Sequence, residues 1–168
     1  METISKRHKL YVMIGVPGSG KSTYIAEKLK GVNVVSRDAI RFSMISNKDD
    51  YFSKENEVWD EFIQQIKDSL IVNAETVADA THLNMKSRAK LFRALGKSLK
   101  DVELIAIYIK TPTNVCIARN ENRADLAYVP ISAIRRMANQ VEEPDPEEGW
   151  NYIFIYDTVT EKMEMRAI

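Results

Sequence analysis

The sequence predicts a three-layer α/β fold, on three observations. Short runs, most of them apolar at consecutive positions, alternate with longer segments of helical periodicity; such runs suit strands of a parallel sheet covered on both faces. A glycine-rich turn joins the first apolar run to a helical segment. The length, 168 residues, suits one domain over 1–168. A chain near this size buries about 70% of its unfolded surface without disulfide or metal staples.

The elements follow in order. Residues 10–14 form the first strand, and 21–29 the first helix. Residues 32–35 form the second strand, and Ala39-Ile40-Arg41-Phe42 begins a short helix. In 56–70 the apolar residues Val58, Trp59, Phe62, Ile63, Ile66 and Leu70 recur at helix spacing. Residues 76–78 are the third strand. Met85, Ala89, Phe92, Leu95 and Leu99 set a helix over 85–99, followed by a strand over 102–109. Thr111-Pro112 offers an N-cap and a first-turn proline for a helix reaching about Arg123. Asp125 to Pro130 breaks it, and a second helix starts near Ile131. Residues 152–156 are the fifth strand, and the alternation Met163-Glu164-Met165-Arg166 suggests a short edge strand. Strands alternating with helices imply right-handed crossovers.

Composition narrows the function. Lys+Arg and Asp+Glu number 24 each, for zero formal charge. That excludes coating nucleic acid by bulk electrostatics, which goes with a pI above about 9. It leaves open recognition of one strand end by a few arginines. One cysteine, Cys116, cannot make an internal disulfide, and no apolar run approaches the ~20 residues of a membrane span. Lys6-Arg7-His8-Lys9 before 10–14 resembles a signal peptide only superficially, because Gly15 interrupts it and no cleavage site follows. A cytoplasmic location is expected, with no membrane association and no obligate protein partner.

The strongest signal is Gly15-Val16-Pro17-Gly18-Ser19-Gly20-Lys21-Ser22, which fits G-x-x-x-x-G-K-[ST] between a strand and a helix. Glycines let backbone N–H groups turn inward on a phosphate, and the helix N-terminus adds positive potential. Lys21 is placed on the β- and γ-phosphates and Ser22 on Mg²⁺. The expected cofactors are therefore ATP and Mg²⁺. No guanine-reading Asn-Lys-x-Asp appears, nor a strand ending in Asp-Glu to activate water. A small phosphoryl-transfer enzyme remains. It needs an acceptor base, a second carboxylate near the metal and arginines on a lid. Asp38, after the second strand, suits the base or a helix N-cap. Arg41 suits an acceptor phosphate or an exposed helix position. Asp79 ends the third strand and suits metal support or a turn. Arg119 and Arg123 share one helix face, in a lid over about 119–140 that also carries Arg135 and Arg136.

These residues resemble the phage-type polynucleotide 5′-hydroxyl kinase domain, within the small P-loop kinases. The shared segments are Gly15 to Thr23, Ser36-Arg37-Asp38-Ala39-Ile40-Arg41, Asp79-Ala80-Thr81-His82-Leu83-Asn84, Arg119-Asn120-Glu121-Asn122-Arg123, Val129-Pro130-Ile131 and Ile134-Arg135-Arg136-Met137. The resemblance implies a five-stranded parallel sheet with the loop strand central. It implies Gly15, Pro17, Gly18, Ser19, Gly20, Lys21, Ser22 and Thr23 around ATP, with Lys21 also catalytic. Asp38 would be the general base, Arg41 and Asp79 acceptor contacts, Arg123 a catalytic lid arginine and Arg119 its assistant. The 5′-hydroxyl of DNA or RNA would be the acceptor. A small-metabolite kinase (on a nucleoside, sugar or amino-alcohol) and an ATP-binding module with little turnover are the alternatives. His82 replaces an asparagine of the pattern, and Ala39 a second acid. With the sequence ending at Ile168, the phosphatase domain often fused to these kinases is not expected.

Two segments are charge-polarised. Lys86, Lys90, Arg93, Lys97 and Lys100 fall on one face of a helix over 85–99 and its end. Glu142, Glu143, Asp145, Glu147 and Glu148 form an acidic loop. Solvated faces are the simpler reading of both, and a strand resting on the basic stripe is the other. Cys116, Trp59 and Trp150 read as packing residues, and His8 as solvated.

Overall fold

The computed structural model describes residues 7–46, 49–123 and 128–168. The strands are β1 (His8–Ile14), β2 (Asn33–Ser36), β3 (Glu75–Asp79), β4 (Val102–Lys110), β5 (Tyr152–Asp157) and β6 (Lys162–Arg166). The helices are α1 (Lys21–Lys28), α2 (Arg37–Met44), α3 (Glu55–Val72), α4 (Met85–Leu95), α5 (Thr113–Glu121) and α6 (Ile131–Gln140). One sheet has the order β2-β3-β1-β4-β5-β6. Five strands are parallel with β1 central, as expected, and β6 adds an antiparallel edge. Its exposed Met163 and Met165 explain why only a two-residue alternation marked it.

Burial follows from position in the sheet. Leu10, Val12, Met13 and Ile14 are all fully buried, because helices cover both faces of β1. One core packs Val58, Phe62 and Ile66 of α3 with Leu91 and Leu95 of α4. A second sets Ile25 of α1 against Met13, Ile105 and Ile107, and a third packs Val16 and Cys116 with Ile134 of α6. No described helix is long and apolar enough to cross a membrane.

Several local expectations need correction. The helix expected over 85–99 ends at Leu95, where Gly96 takes φ +50° and a 3₁₀ turn, Gly96–Leu99, follows. Lys97 and Lys100 therefore leave the helical face. Thr111 does not cap α5. The cap position is Pro112, while the Thr111 hydroxyl donates to Ser19 O at 2.7 Å. His8 is not free in solvent: it opens β1, with Nδ1 2.6 Å from Leu70 O. Asp125, in the expected break, lies outside the described residues, as does Lys6.

Candidate active site

The phosphate loop lies at the carboxyl ends of the strands, between β1 and α1. Gly18 and Gly20 have φ of +82° and +105°, a region side chains disfavour. A Cβ on Gly18 would sit 2.5 Å from Cys116 O of α5, so only glycine lets the loop pass there. No side chain caps α1, which leaves its first-turn N–H groups for an anion. The Lys21 ammonium donates to Gly15 O at 2.9 Å and Val16 O at 3.1 Å. Burial lowers its pKa. Asp79 and Asp38 oppose that shift, and Arg123 adds to it. Asp79 and Asp38 thus both feel the lysine charge.

Asp38 and Arg41 share the first turns of α2. Ser36 is the N-cap, its Oγ accepting from Ala39 N at 3.2 Å. The capping role weighed for Asp38 thus belongs to Ser36, two residues earlier, and Asp38 faces the cleft from the first turn. Its Oδ1 accepts from Tyr51 Oη at 3.0 Å and pairs with Arg41 Nη1. Arg41 is buried, 5% exposed, and is not the surface arginine allowed by its sequence. Glu55 takes Arg41 Nη2 on both oxygens, at 3.1 and 3.0 Å, and also pairs with Arg37. Arg41 lies over the Tyr51 ring at 4.6 Å. Burial pulls the Arg41 pKa down, but Tyr51, Glu55 and Asp38 outweigh it and the net shift is upward. Burial and Asp38 push Tyr51 up to about 12.

Asp79 ends β3 beside Ser36 of β2. Burial raises its pKa; Lys21 opposes the rise and Asp38 adds to it. Across the opening, Arg119 donates to Ser19 O at 3.1 Å and Gly18 O at 3.4 Å. Arg123 also lines the cleft. Arg135 and Arg136 are exposed on α6 and line no part of it. The lid expected over 119–140 includes 124–127, outside the described residues. On either side of them, buried Asn120 donates to Val129 O at 2.6 Å and accepts from Val129 N at 2.9 Å. This pair joins α5 to the segment before α6.

One cleft of about 550 Å³ gathers Pro17, Gly18, Gly20, Lys21, Ser22, Thr23, Asp38, Arg41, Asp79, Arg119 and Arg123. Gly15 and Ser19 are buried beneath it. The sequence reading missed Tyr51 and Glu55 on the acceptor side, and Tyr156, Thr158 and Glu161 at the other end. No motif flags Tyr51 or Glu55; Glu55 is placed by α3 packing on α2, and Tyr51 by the turn before α3, where its ring meets Phe42 of α2 edge-on. Among the described residues no group of three or more His, Cys, Asp or Glu forms a metal cage. Ser22 and Asp79 both line the cleft and offer the one or two protein oxygens that Mg²⁺ takes beside substrate phosphates.

Behind the site, Arg88 of α4 is fully buried. It pairs with both Glu148 oxygens at 2.7 and 3.0 Å and donates to His82 O and Glu142 O. The acidic loop is therefore not simply a solvated face, because Arg88 anchors it. The signal was legible: Arg88 falls on the apolar face with Leu91 and Leu95. His82 is buried, its Nδ1 2.7 Å from Met13 O, and burial lowers its pKa to about 4. Trp150 packs edge-on to Phe92, and Cys116 is buried with its pKa raised by burial, both as expected.

The geometry of the loop is matched by likeness in sequence. Residues 10–144 match the family model described as AAA domain. The chain belongs to this AAA domain family. Comparison with curated proteins gives no match. Among solved structures, the AAA domain is similar to a gluconokinase from Sinorhizobium meliloti 1021, at 20% identity and TM-score 0.51, over 89% of this chain and 82% of that one. It is similar to a chain of the Pnkp1/Rnl/Hen1 RNA repair complex, at 18% identity and TM-score 0.66, over 83% of this chain. It spans 46% of that chain, less than half its length. It is also similar to Chaetomium thermophilum Kti12 in complex with ADP-AlF3, at 15% identity and TM-score 0.58, over 89% of each chain. These likenesses give the AAA domain a P-loop kinase-like fold.

Proposed function

We propose that the protein is an ATP-dependent kinase that transfers the γ-phosphoryl group to a hydroxyl, with the 5′-hydroxyl end of DNA or RNA as acceptor. The observation that carries this reading is one cleft holding the phosphate loop, Asp38, Asp79 and two arginines of the α5 side. Lys21 and the loop N–H groups hold the phosphates, and Arg119 and Arg123 neutralise charge on the transferred group. Asp38 orients the acceptor hydroxyl and takes its proton. The new P–O bond forms as the γ-phosphorus parts from the bridging oxygen of ADP. Arg41 steadies the acceptor's nearest phosphate, exchanging part of its Glu55 contact for it, and Asp79 supports the acceptor side. Ser22 would hold Mg²⁺, which when bound would neutralise phosphate charge. In this reading one kinase domain spans 1–168, with its lid over about 119–140. It works in the cytoplasm, without an obligate protein partner.

A second reading, a small-metabolite kinase, is favoured by one observation. Arg41 is already held by Glu55, Asp38 and Tyr51, so a neutral polyol would meet a site needing no anion. Labelled ATP offered with 5′-hydroxyl oligonucleotides, mononucleotides and a panel of sugars, nucleosides and amino-alcohols separates them. Oligonucleotide labelling is expected. Labelling of a metabolite alone would establish the second reading. ATP binding without transfer to any acceptor would leave the binding-module alternative.

A further inference from the structure

Helix α4 carries Lys86, Lys90 and Arg93 at i, i+4 and i+7, all exposed. Among the described residues none of the three makes an ion pair, with the acids of α3 or any other. Of the acidic loop, the Glu148 carboxylate is engaged with Arg88, two residues along from Lys86 and so on another side of the helix, and the Glu143 carboxylate with Arg166. In a chain of zero formal charge, this is a local run of three cations without an ion pair among the described residues, with the Glu142 carboxylate at its N-terminal edge, where it accepts from Met85 N at 3.0 Å.

Trp59 of α3 joins that surface to the cleft. The Lys90 ammonium lies 4.3 Å from its ring centroid, and the Arg37 guanidinium 5.2 Å from it. Trp59 is only partly buried, so the ring is not simply core. Arg37 lines the cleft beside Asp38 and Glu55. Arg37, Trp59, Lys90 and then Lys86 or Arg93 are therefore a continuous cationic and aromatic path leading out of the acceptor side. Helices rise 1.5 Å per residue, so Lys86 to Arg93 covers about 10 Å, room for about three phosphates of a stacked strand at ~3.4 Å each.

We propose that this path holds a single nucleic-acid strand downstream of its 5′ end, which extends the polynucleotide reading above and rests on it. The strand leaves the cleft past Arg37 and Trp59, and its phosphates lie on Lys90, Lys86 and Arg93. Binding is through the backbone, without reading of sequence. Lys97 and Lys100, beyond the helix end, are not part of the path.

The test compares 5′ labelling of a dinucleotide and of an oligonucleotide of about a dozen residues. It uses the wild-type protein and a triple variant, Lys86→Gln, Lys90→Gln and Arg93→Gln, between ~50 and ~200 mM salt. These substitutions are on an exposed face outside the cleft. In the wild type the longer acceptor is expected to have the lower KM. In the variant its KM rises roughly tenfold at the low salt, kcat is unchanged, and the slope of log KM against log salt falls by about two, from three lost contacts at ~0.7 each. The dinucleotide KM does not move. Equal KM for the two acceptors, or a variant with the wild-type KM and slope, overturns the path and leaves the kinase reading standing. Labelling of neither acceptor overturns the polynucleotide reading and the path with it.

Discussion

Arg41 and Glu55 form a forked pair at the floor of the acceptor side, with Arg41 Nη2 donating to both Glu55 oxygens at 3.1 and 3.0 Å. The same carboxylate pairs with Arg37, and the same guanidinium with Asp38. Glu55 is thus the shared counter-charge of two arginines that flank the candidate base. Glu55→Gln keeps the shape and removes the charge. It is expected to lower stability by about 1–3 kcal/mol, read by urea unfolding, and to weaken transfer more than ATP binding. An unchanged unfolding midpoint would show that Asp38 alone suffices for Arg41.

Asp38→Asn removes proton acceptance and keeps an oxygen for Tyr51. Phosphoryl transfer is expected to fall about 10²–10⁴-fold, with ATP affinity preserved, in a steady-state assay paired with nucleotide titration. Near-normal turnover would mean that Asp38 only neutralises Arg41.

Gly18→Ala places a methyl group where Cys116 O stands, 2.5 Å away, on a backbone at φ +82°. The conformation alone costs about 1–2 kcal/mol, so ATP affinity is expected to drop roughly tenfold or more as the loop shifts. Calorimetric titration checks it, with melting temperature as the control for folding.

Arg88→Met leaves Glu148 as a buried carboxylate and takes the guanidinium donor from the carbonyls of His82, Glu142 and Glu143. The expected loss is about 3–5 kcal/mol, and Arg88→Met with Glu148→Leu should recover much of it, because the uncompensated charge is then gone. Equal losses for the single and double variants would show that the carbonyl contacts dominate.

His82 supplies a pH dependence. Its folded pKa is near 4 because burial disfavours the imidazolium, against an ordinary value of about 6.5. Between those values the unfolded chain binds the proton and the folded chain does not. Stability therefore falls as pH drops from about 6.5 to about 4, by up to ~3 kcal/mol, and is intact above. His82→Asn is expected to flatten this limb in urea unfolding curves taken across that range. A variant with the wild-type slope would place the acid sensitivity elsewhere.

Much of the fold was legible because apolar runs on both faces of β1 and β4 have few other uses. Misreadings arose where a side chain serves a distant partner. Thr111 looked like a cap by its neighbours, yet its hydroxyl is held by Ser19 across the chain. Asp38 looked equally like a cap, and the competing hydroxyl of Ser36 took that place. The acidic loop looked solvated because its buried counter-ion, Arg88, is 54–60 residues away.

The sequence alone determined the phosphate loop, since strand, glycines and Lys21 are contiguous and their spacing is the site. It also determined the alternation of strands and helices along the chain, while the central place of β1 was implied by the family resemblance and is seen in the sheet order. The tertiary structure decided what charges face one another. It made Arg41 a buried member of a five-residue network with Asp38, Tyr51, Glu55 and Arg37, gave Trp59, which packs on the core as expected, a second contact with Arg37 and Lys90, and set Asp79 within reach of the Lys21 charge. Coulombic and hydrogen-bond interactions depend on distance in space, and α3 with the turn before it brings Tyr51, Glu55 and Trp59 to residues that no local pattern joins them to.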